Sequence, residues 1–305
     1  MGTLVKITVY APTADDAREA FRAGFDRIQA LDDTLSDYKP ESELSRITDR
    51  AAGHPVRIGD DLFTVLSAAQ ALAEETDGAF DVTEGPVVRL WRDARRTGRV
   101  PDAEALAAAR ARSGFRHLHL DAKDHTVMFD MPAMALDVGA IGKGYAASEA
   151  LEVIARRGIH SALVAISGDL AFSNAPPGQR GWRIQVHSDD PRAIGVPSTL
   201  ELTNAAVSTS GASEQHLDAG GRRYSHVIEP ASGMGLVNDI TVTVVAPHGL
   251  DADGLDTAAS VLGCARGLAL IDSHRATAGL IIEKMNGSVT ASTSAGFRKL
   301  VRLER

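Results

Sequence analysis

Within nine residues, the stretch Asp137-Val-Gly-Ala-Ile-Gly-Lys-Gly-Tyr145 holds three glycines and a lysine. Glycines let a backbone approach a ligand closely, and a helix opening there would present N–H groups to an anion. Lys143 would add a positive charge at the same place. The spacing fits neither the Walker A loop nor the dinucleotide fingerprint. On pattern alone, a phosphate cradle and a tight strand–helix turn both stand. The second stretch is Asp253-Gly-Leu-Asp256-Thr257. On a helix, positions i, i+3 and i+4 share one face. Two carboxylates and a hydroxyl on that face suit a hard cation such as Mg²⁺, which takes oxygen ligands. The competing reading is helix capping, with Asp251 or Asp253 satisfying the helix's own first amides.

Other residues offer chemistry singly. His226, in Ser225-His226-Val-Ile-Glu229-Pro-Ala-Ser-Gly233, is placed to act as a general base or acid beside a phosphate, or merely to be hydrogen-bonded in place. Ser167-Gly168-Asp169 and Thr209-Ser210-Gly211 read as small polar turns of the kind that cradle phosphates. Tyr38 could stack on a planar ring, and Ser42 could cap a short helix after it. In Gly78-Ala-Phe80-Asp81, Phe80 reads as core, and Asp81 as a turn residue or an acceptor for a ring N–H.

The elements that must position these residues follow from periodicity. Thr3–Tyr10 alternates as a strand. Thr13–Leu35 reads as a helix capped by Thr13, with Ala17, Phe21, Phe25, Ile28, Leu31 and Leu35 at helical spacing. Asp60–Thr76 and Pro101–Ser113 are further helices, the first stopped by Gly78. His117–Asp121 and Thr126–Asp130 form a hairpin. A helix is expected across Asp137–Ala150 and another across Asp251–Leu262. Strands are expected at Ala162–Ser167, Trp182–His187, Thr199–Thr203, Tyr224–Ile228, Asp239–Val245, Ala278–Glu283 and, closing the chain, Phe297–Leu303. Ser173–Gly181 is a Pro- and Gly-rich surface loop. Helices and strands mix without a regular βαβ rhythm, which points to α+β.

Composition narrows the function classes. The 305 residues carry 32 Lys+Arg against 40 Asp+Glu, a net charge of −8, which argues against a nucleic-acid binder with a basic face. Hydrophobic residues at 44% and charged residues at 24% are globular values, so disorder is excluded. The single cysteine, Cys264, excludes an internal disulfide framework and a cysteine-based zinc cluster. No run of roughly 18 apolar residues is present, so no transmembrane segment is expected. No charged and then apolar leader opens the chain, so the expectation is a cytosolic protein or a trimmed one.

Taken in order, these pieces resemble the ApbE family, flavin transferases that move FMN from FAD onto a protein threonine. The resemblance rests on Met-Gly-Thr3, Ser-Asp-Tyr38…Ser42-Glu-Leu-Ser, Gly78-Ala-Phe-Asp81, Asp137…Gly-Lys143-Gly-Tyr, Ser167-Gly-Asp169, Thr209-Ser-Gly211, Ser225-His226-Val-Ile-Glu-Pro-Ala-Ser-Gly233 and Ala252-Asp-Gly-Leu-Asp-Thr257. It covers nearly the whole chain. It implies one large domain over 1–305, an α+β fold related to the T-fold with mixed and antiparallel sheets and packed helices. It also implies FAD as substrate and Mg²⁺ as cofactor. By motif match, Met1, Tyr38, Ala79, Phe80, Asp81, Asp137, Lys143 and Ile228 would contact FAD. The metal site would be the backbone carbonyl of Ala140 with Asp253, Asp256 and Thr257. His226 matches the histidine needed for transfer, and Asp253 is the second residue expected to be catalytic. The acceptor would be an external protein carrying the modified threonine.

The chain departs from the family in three places. Ser167-Gly-Asp169 stands where Gly-Gly-Asp is common, Ala212-Ser213 replace an acidic or aromatic pair, and no lipid-bearing N-terminal cysteine is present. Two other functions use the same residues: an FAD pyrophosphatase giving FMN and AMP, and a non-catalytic FAD-binding protein.

Overall fold

The computed structural model describes residues 3–186, 196–211, 216–285 and 288–303. The chain forms two compact units interleaved in sequence. One comprises Leu31–Ala140 and Gly211–Val237; the other comprises Gly2–Ala30, Ile141–Ser210 and Asn238–Arg305.

The second unit is built on a seven-stranded sheet. Its strands run in the order Val5–Val9, Ala162–Ile166, Asp169–Phe172, Ala205–Gly211, Asp239–Ala246, Ala278–Met285 and Ser288–Thr293. The first two pair antiparallel, Val5 opposite Ile166 and Val9 opposite Ala162. Asp239–Ala246 pairs antiparallel with Ala278–Met285, Val242 opposite Ile281. Strand Ala162–Ile166 buries Ala162, Val164 and Ile166, the period-two face that a sheet covered by helices requires. Helices Gly142–Ala155 and Gly249–Ser273 belong to this unit. They meet backbone to backbone. A Cβ on Gly144 would run into the carbonyl of Gly249, and one on Gly249 into the carbonyl of Gly144. Ser148 Oγ accepts the Gly249 N–H at 2.8 Å and fixes the contact.

Helix Gly249–Ser273 is the one described helix long and apolar enough by composition to cross a bilayer. Its apolar residues have another use, since Ala252, Leu255, Ala258, Ala259, Leu270 and Ile271 are buried in the protein. Gly263, at φ 76° and ψ 176°, breaks it into two segments. The first ends where the sequence places the end of a helix, at Leu262.

The other unit contains helices Glu43–Arg50, Asp60–Glu75, Gly85–Thr97 and Ala103–Arg110. Its three-stranded sheet runs Val56–Arg57, Thr126–Phe129, Leu118–Asp121. Two ribbons, His216–Ala219 with Arg222–Ser225 and Ile228–Glu229 with Met234–Gly235, complete it. Ser42 caps its helix as expected, its Oγ accepting the Ser45 N–H at 3.0 Å. Trp91 anchors a cluster with Val87, Ala94, Leu106, Ala109 and Leu217. Its indole N–H donates to the Gly233 carbonyl at 2.7 Å, so the turn after His226 is tied to the helix bearing Trp91.

Five expectations change. The helix expected from Asp137 begins at Gly142, because residues 137–141 are committed to a turn in which the Asp137 carboxylate accepts the Gly139 N–H. Thr209–Gly211 is the end of a sheet strand, Ala205–Gly211, rather than a turn: the pairing of Ala205–Val207 with Leu170–Phe172 starts a strand that runs on through its small polar residues. Tyr224–Ile228 is two strands with a bend at His226 and Val227, where Val227 N–H donates to Ser225 Oγ. Phe297–Leu303 lies in a helix, Ala295–Leu303, not a strand. Ser294 Oγ accepts the Phe297 N–H, and the Asp272 carboxylate takes the Ala295 N–H at 2.9 Å, so two caps nucleate a helix that alternation alone would miss. Phe25, expected on the apolar face of the first long helix, is 45% exposed; Ile28, Leu31 and Leu35 are buried as expected, and Ala20 and Gly24 join them on that face. One helix, Gly85–Thr97, has no counterpart among the expected elements. Pro86 in its first turn and the left-handed Gly98 at its end bracket apolar positions Val87, Leu90, Trp91 and Ala94 at helical spacing. Strand Trp182–Gln185 is shorter than expected, and His187 lies outside the described residues.

The glycine contact gives a direct test. Gly144→Ala should destabilise the protein by about 1–3 kcal/mol, the usual cost of forcing a methyl into a packed contact. Urea denaturation should report a lower midpoint with an unchanged slope.

Candidate functional site

In the second unit, five polar side chains converge. Asp169 enters from the start of strand Asp169–Phe172, Ser208 from strand Ala205–Gly211, Lys143 from the first turn of helix Gly142–Ala155, and Asp253 and Asp256 from helix Gly249–Ser273. The Lys143 ammonium pairs with Asp169 Oδ2 at 2.7 Å and with Asp253 Oδ1 at 3.4 Å. Ser208 Oγ contacts one oxygen of Asp169 and stands 2.6 Å from Asp256 Oδ2. Thr257 Oγ1 donates to Asp256 Oδ1 at 3.2 Å. Asp169, Asp253, Asp256 and Ser208 are each 3% exposed or less.

Asp253 Oδ2 accepts the N–H of Gly144 at 2.9 Å. That amide is one of the orphan donors of a helix start, where a carboxylate is favoured by the helix dipole. Asp253 therefore caps, but it caps the neighbouring helix rather than its own, which starts at Gly249. The amide is thus taken by a carboxylate of the same chain rather than left for a phosphate. Asp253, Asp256 and Thr257 lie within one turn of the same helix, and the glycine contact between the helices is what allows Gly144 N–H and Asp253 to meet.

Three buried carboxylates surround one ammonium. Burial and the neighbouring Asp169 push Asp253 up to about 7, against the opposing pull of Lys143. Asp256 is raised well above the ordinary carboxylate range by burial and by Asp253 and Asp169. Lys143 is burdened by burial but held charged by Asp253 and Asp169, so its pKa is raised. Excess negative charge in a dry site is relieved by a cation. Among the described residues, no three His, Cys, Asp or Glu side chains stand as a ready metal-ligand set. The residues here fit a cation held by two carboxylates and neutral oxygens, the ligand set that Mg²⁺ accepts while keeping several waters.

The other unit holds a second arrangement. Arg92, on helix Gly85–Thr97, donates to Asp137 Oδ2 at 2.6 Å and pairs with both oxygens of Asp37. Its guanidinium carbon lies 4.0 Å from the centre of the Tyr38 ring, a cation–π contact. Tyr38 is 67% exposed. Partial burial raises its hydroxyl pKa, while Arg92 opposes the shift. Asp137 is raised by burial and by Asp37, again opposed by Arg92.

Asp81 accepts hydrogen bonds from Thr83 N–H and Oγ1 and from the Phe115 N–H, so its carboxylate is spent on its own turn and on a neighbouring loop. Phe80 is buried and belongs to the core, as its sequence context suggests; Ala79 is half-buried. Ile228 is half-buried against the Trp91 cluster. His226 is half-buried at its bend, and Ala140 is half-buried in the turn before Gly142. Met1 lies outside the described residues.

Sequence reasoning missed four participants. Ser208 hides in a strand adjoining a stretch read as a turn. Asp169 was read for the amides of its turn rather than for its carboxylate. Asp37 and Arg92 become legible only once residues 85–97 are a helix, which turns Arg89, Arg92 and Arg95 toward successive turns of the same side.

Fold and sites together define an α+β protein with a buried carboxylate–lysine centre. A family model described as the ApbE family matches residues 1–281. An FAD:protein FMN transferase of Klebsiella pneumoniae is 30% identical over 297 residues, 95% of this chain and 84% of that protein. One from Treponema pallidum is 32% identical over 288 residues, 89% of this chain and 79% of that protein. Among solved structures, the flavin transferase ApbE from Vibrio cholerae matches with a TM-score of 0.88 and 30% identity, covering 98% of this chain and 96% of that one. The chain belongs to the ApbE family.

The raised carboxylates set a pH dependence. A carboxylate whose folded pKa lies above its unfolded value binds more protons when folded, so stability falls as pH rises between the two. Asp253 and Asp256 act in this sense. So does Glu84, which burial and the charge of Asp81 push up to about 8 and whose Oε2 is buried without a hydrogen bond. In EDTA, the denaturation midpoint should therefore fall from about pH 4 to pH 8, and Glu84→Gln should flatten the upper part of that decline. A midpoint that rises over this range contradicts the buried-charge assignment.

Proposed function

We propose that this chain transfers FMN from FAD to a threonine hydroxyl of an acceptor protein, releasing AMP, with Mg²⁺ held at Asp253, Asp256 and Thr257. One observation carries the reading: an ApbE-family chain that buries three carboxylates around Lys143 has built a site that needs a cation. When bound, Mg²⁺ would neutralise charge on the pyrophosphate, which otherwise repels a nucleophile.

The chain's own residues supply the rest. Tyr38 offers an exposed aromatic ring for the isoalloxazine, and Asp137, Lys143, Ile228 and the Ala79–Asp81 stretch are the further FAD contacts. In the reaction the threonine Oγ forms a bond to the FMN-side phosphorus. The phosphorus–oxygen bond to AMP breaks, and AMP leaves with that electron pair. His226 accepts the hydroxyl proton as general base. Lys143 keeps its charge throughout, because its carboxylate partners stabilise the ammonium.

The test is incubation with FAD and Mg²⁺, with and without a threonine-bearing acceptor domain, read by in-gel flavin fluorescence and nucleotide chromatography. A fluorescent acceptor band with AMP, abolished by EDTA, is expected. Asp253→Asn should reduce the rate on the order of 10²–10³-fold, as loss of one preorganised electrostatic group does. Native-rate transfer by that variant would refute the metal assignment. Free FMN and AMP without a labelled protein would mean that water is the nucleophile and the chain is a pyrophosphatase. Intact FAD would mean a flavin-binding protein.

A further inference from the structure

We propose that Arg92 is the positioning residue of the flavin-contacting surface, holding Tyr38 and Asp137 in the poses in which they meet FAD. This rests on the proposed function, which makes Tyr38 and Asp137 FAD contacts.

The geometry is specific. One guanidinium, 22% exposed, reaches three residues that the chain brings from two distant segments. It forks across both oxygens of Asp37, donates to Asp137 Oδ2 at 2.6 Å, and lies 4.0 Å from the Tyr38 ring centre. The carboxylates of Asp37 and Asp137 are each only 10% exposed. Without a cation between them, two nearly buried like charges would repel. Asp137's other oxygen holds the Gly139 N–H at 2.8 Å, and its own N–H donates to the Val82 carbonyl at 2.8 Å. Displacing Asp137 would therefore disturb the turn that leads to Gly142. Among the described residues Tyr38 has no comparable set of tethers: its ring is largely in solvent, and the guanidinium backs it. Arginine suits this task and lysine does not, because only a planar fork with five donors can serve two carboxylates and an aromatic face together.

Arg92 need not touch FAD, so its effect should pass through Tyr38 and Asp137. The test measures equilibrium FAD binding in Mg²⁺ without acceptor, by flavin fluorescence, with chromatography verifying intact nucleotide. Arg92→Met should weaken binding at least tenfold and raise KM for FAD by a similar factor, while kcat changes less than threefold. Arg92→Lys, which keeps the charge and is the variant better suited to folding, should recover part of the affinity. Tyr38→Ala and Asp137→Asn should each weaken binding, and Arg92→Met combined with either should weaken it by less than the product of the single effects. That shortfall is the signature of residues acting as a unit, which a merely structural role would not produce. If both contact variants weaken binding but Arg92→Met multiplies their effects, or leaves affinity unchanged, the positioning role is refuted and the FAD contacts stand. If Tyr38→Ala and Asp137→Asn both bind FAD like the parent protein, the contact assignment falls and the role of Arg92 falls with it.

Discussion

The constraint on which this structure turns is the burial of three carboxylates around one ammonium. Removing charges from water is expensive, and a buried pair returns that cost only when its geometry and remaining hydrogen bonds are good. Here the return is assembled from several elements. Lys143 takes Asp169 and Asp253, Ser208 joins Asp169 to Asp256, and the first turn of a helix gives Asp253 an amide. The arrangement still leaves more negative than positive charge, and the raised Asp253 and Asp256 record that imbalance. A protein selected for stability alone would replace such a centre with apolar side chains. Its retention is intelligible if the missing charge arrives with a ligand.

The packing that makes the centre possible is unusually demanding of small residues. Gly144 and Gly249 let two helices touch through their backbones, and that distance brings the Asp253 carboxylate onto the Gly144 amide. A methyl group at either glycine would separate the helices, and the separation would cost the carboxylate its amide. The other unit solves a like problem with one arginine, which neutralises Asp37 and Asp137 and backs an exposed tyrosine.

Much of this was legible in the chain itself. The i, i+3, i+4 spacing of Asp253, Asp256 and Thr257 placed them on a helix, as they are, because helical geometry is local and the residues lie within one turn. Strands such as Ala162–Ile166 and Asp239–Ala246 were readable because burial imposes an apolar pattern on them. The failures came where distant partners decide. Ala295–Leu303 is a helix because Asp272 and Ser294 cap it, and no periodicity within the segment encodes Asp272. Thr209–Gly211 is strand because Asp169–Phe172 lies alongside its neighbours. Ser208 joined the charged centre unannounced, since a serine in a strand has no signature until the strands beside it are known. Arg92 was invisible for a related reason: its value lies in the carboxylates that face it, not in its own surroundings in sequence.

The break at Gly263 has a bearing on how this chain can vary. In an uninterrupted helix every inserted or deleted residue turns all that follow by about 100° about the axis. A change near Cys264–Ser273, if transmitted, would swing Asp253 and Asp256 out of register with Lys143. The non-helical Gly263 interrupts that transmission. It works as a rotational joint, leaving the carboxylate segment phased by its contact with Gly144 while the apolar segment beyond is phased by the sheet it covers. The two halves of one long helix are then free to drift apart in length and sequence, each answering to a different neighbour.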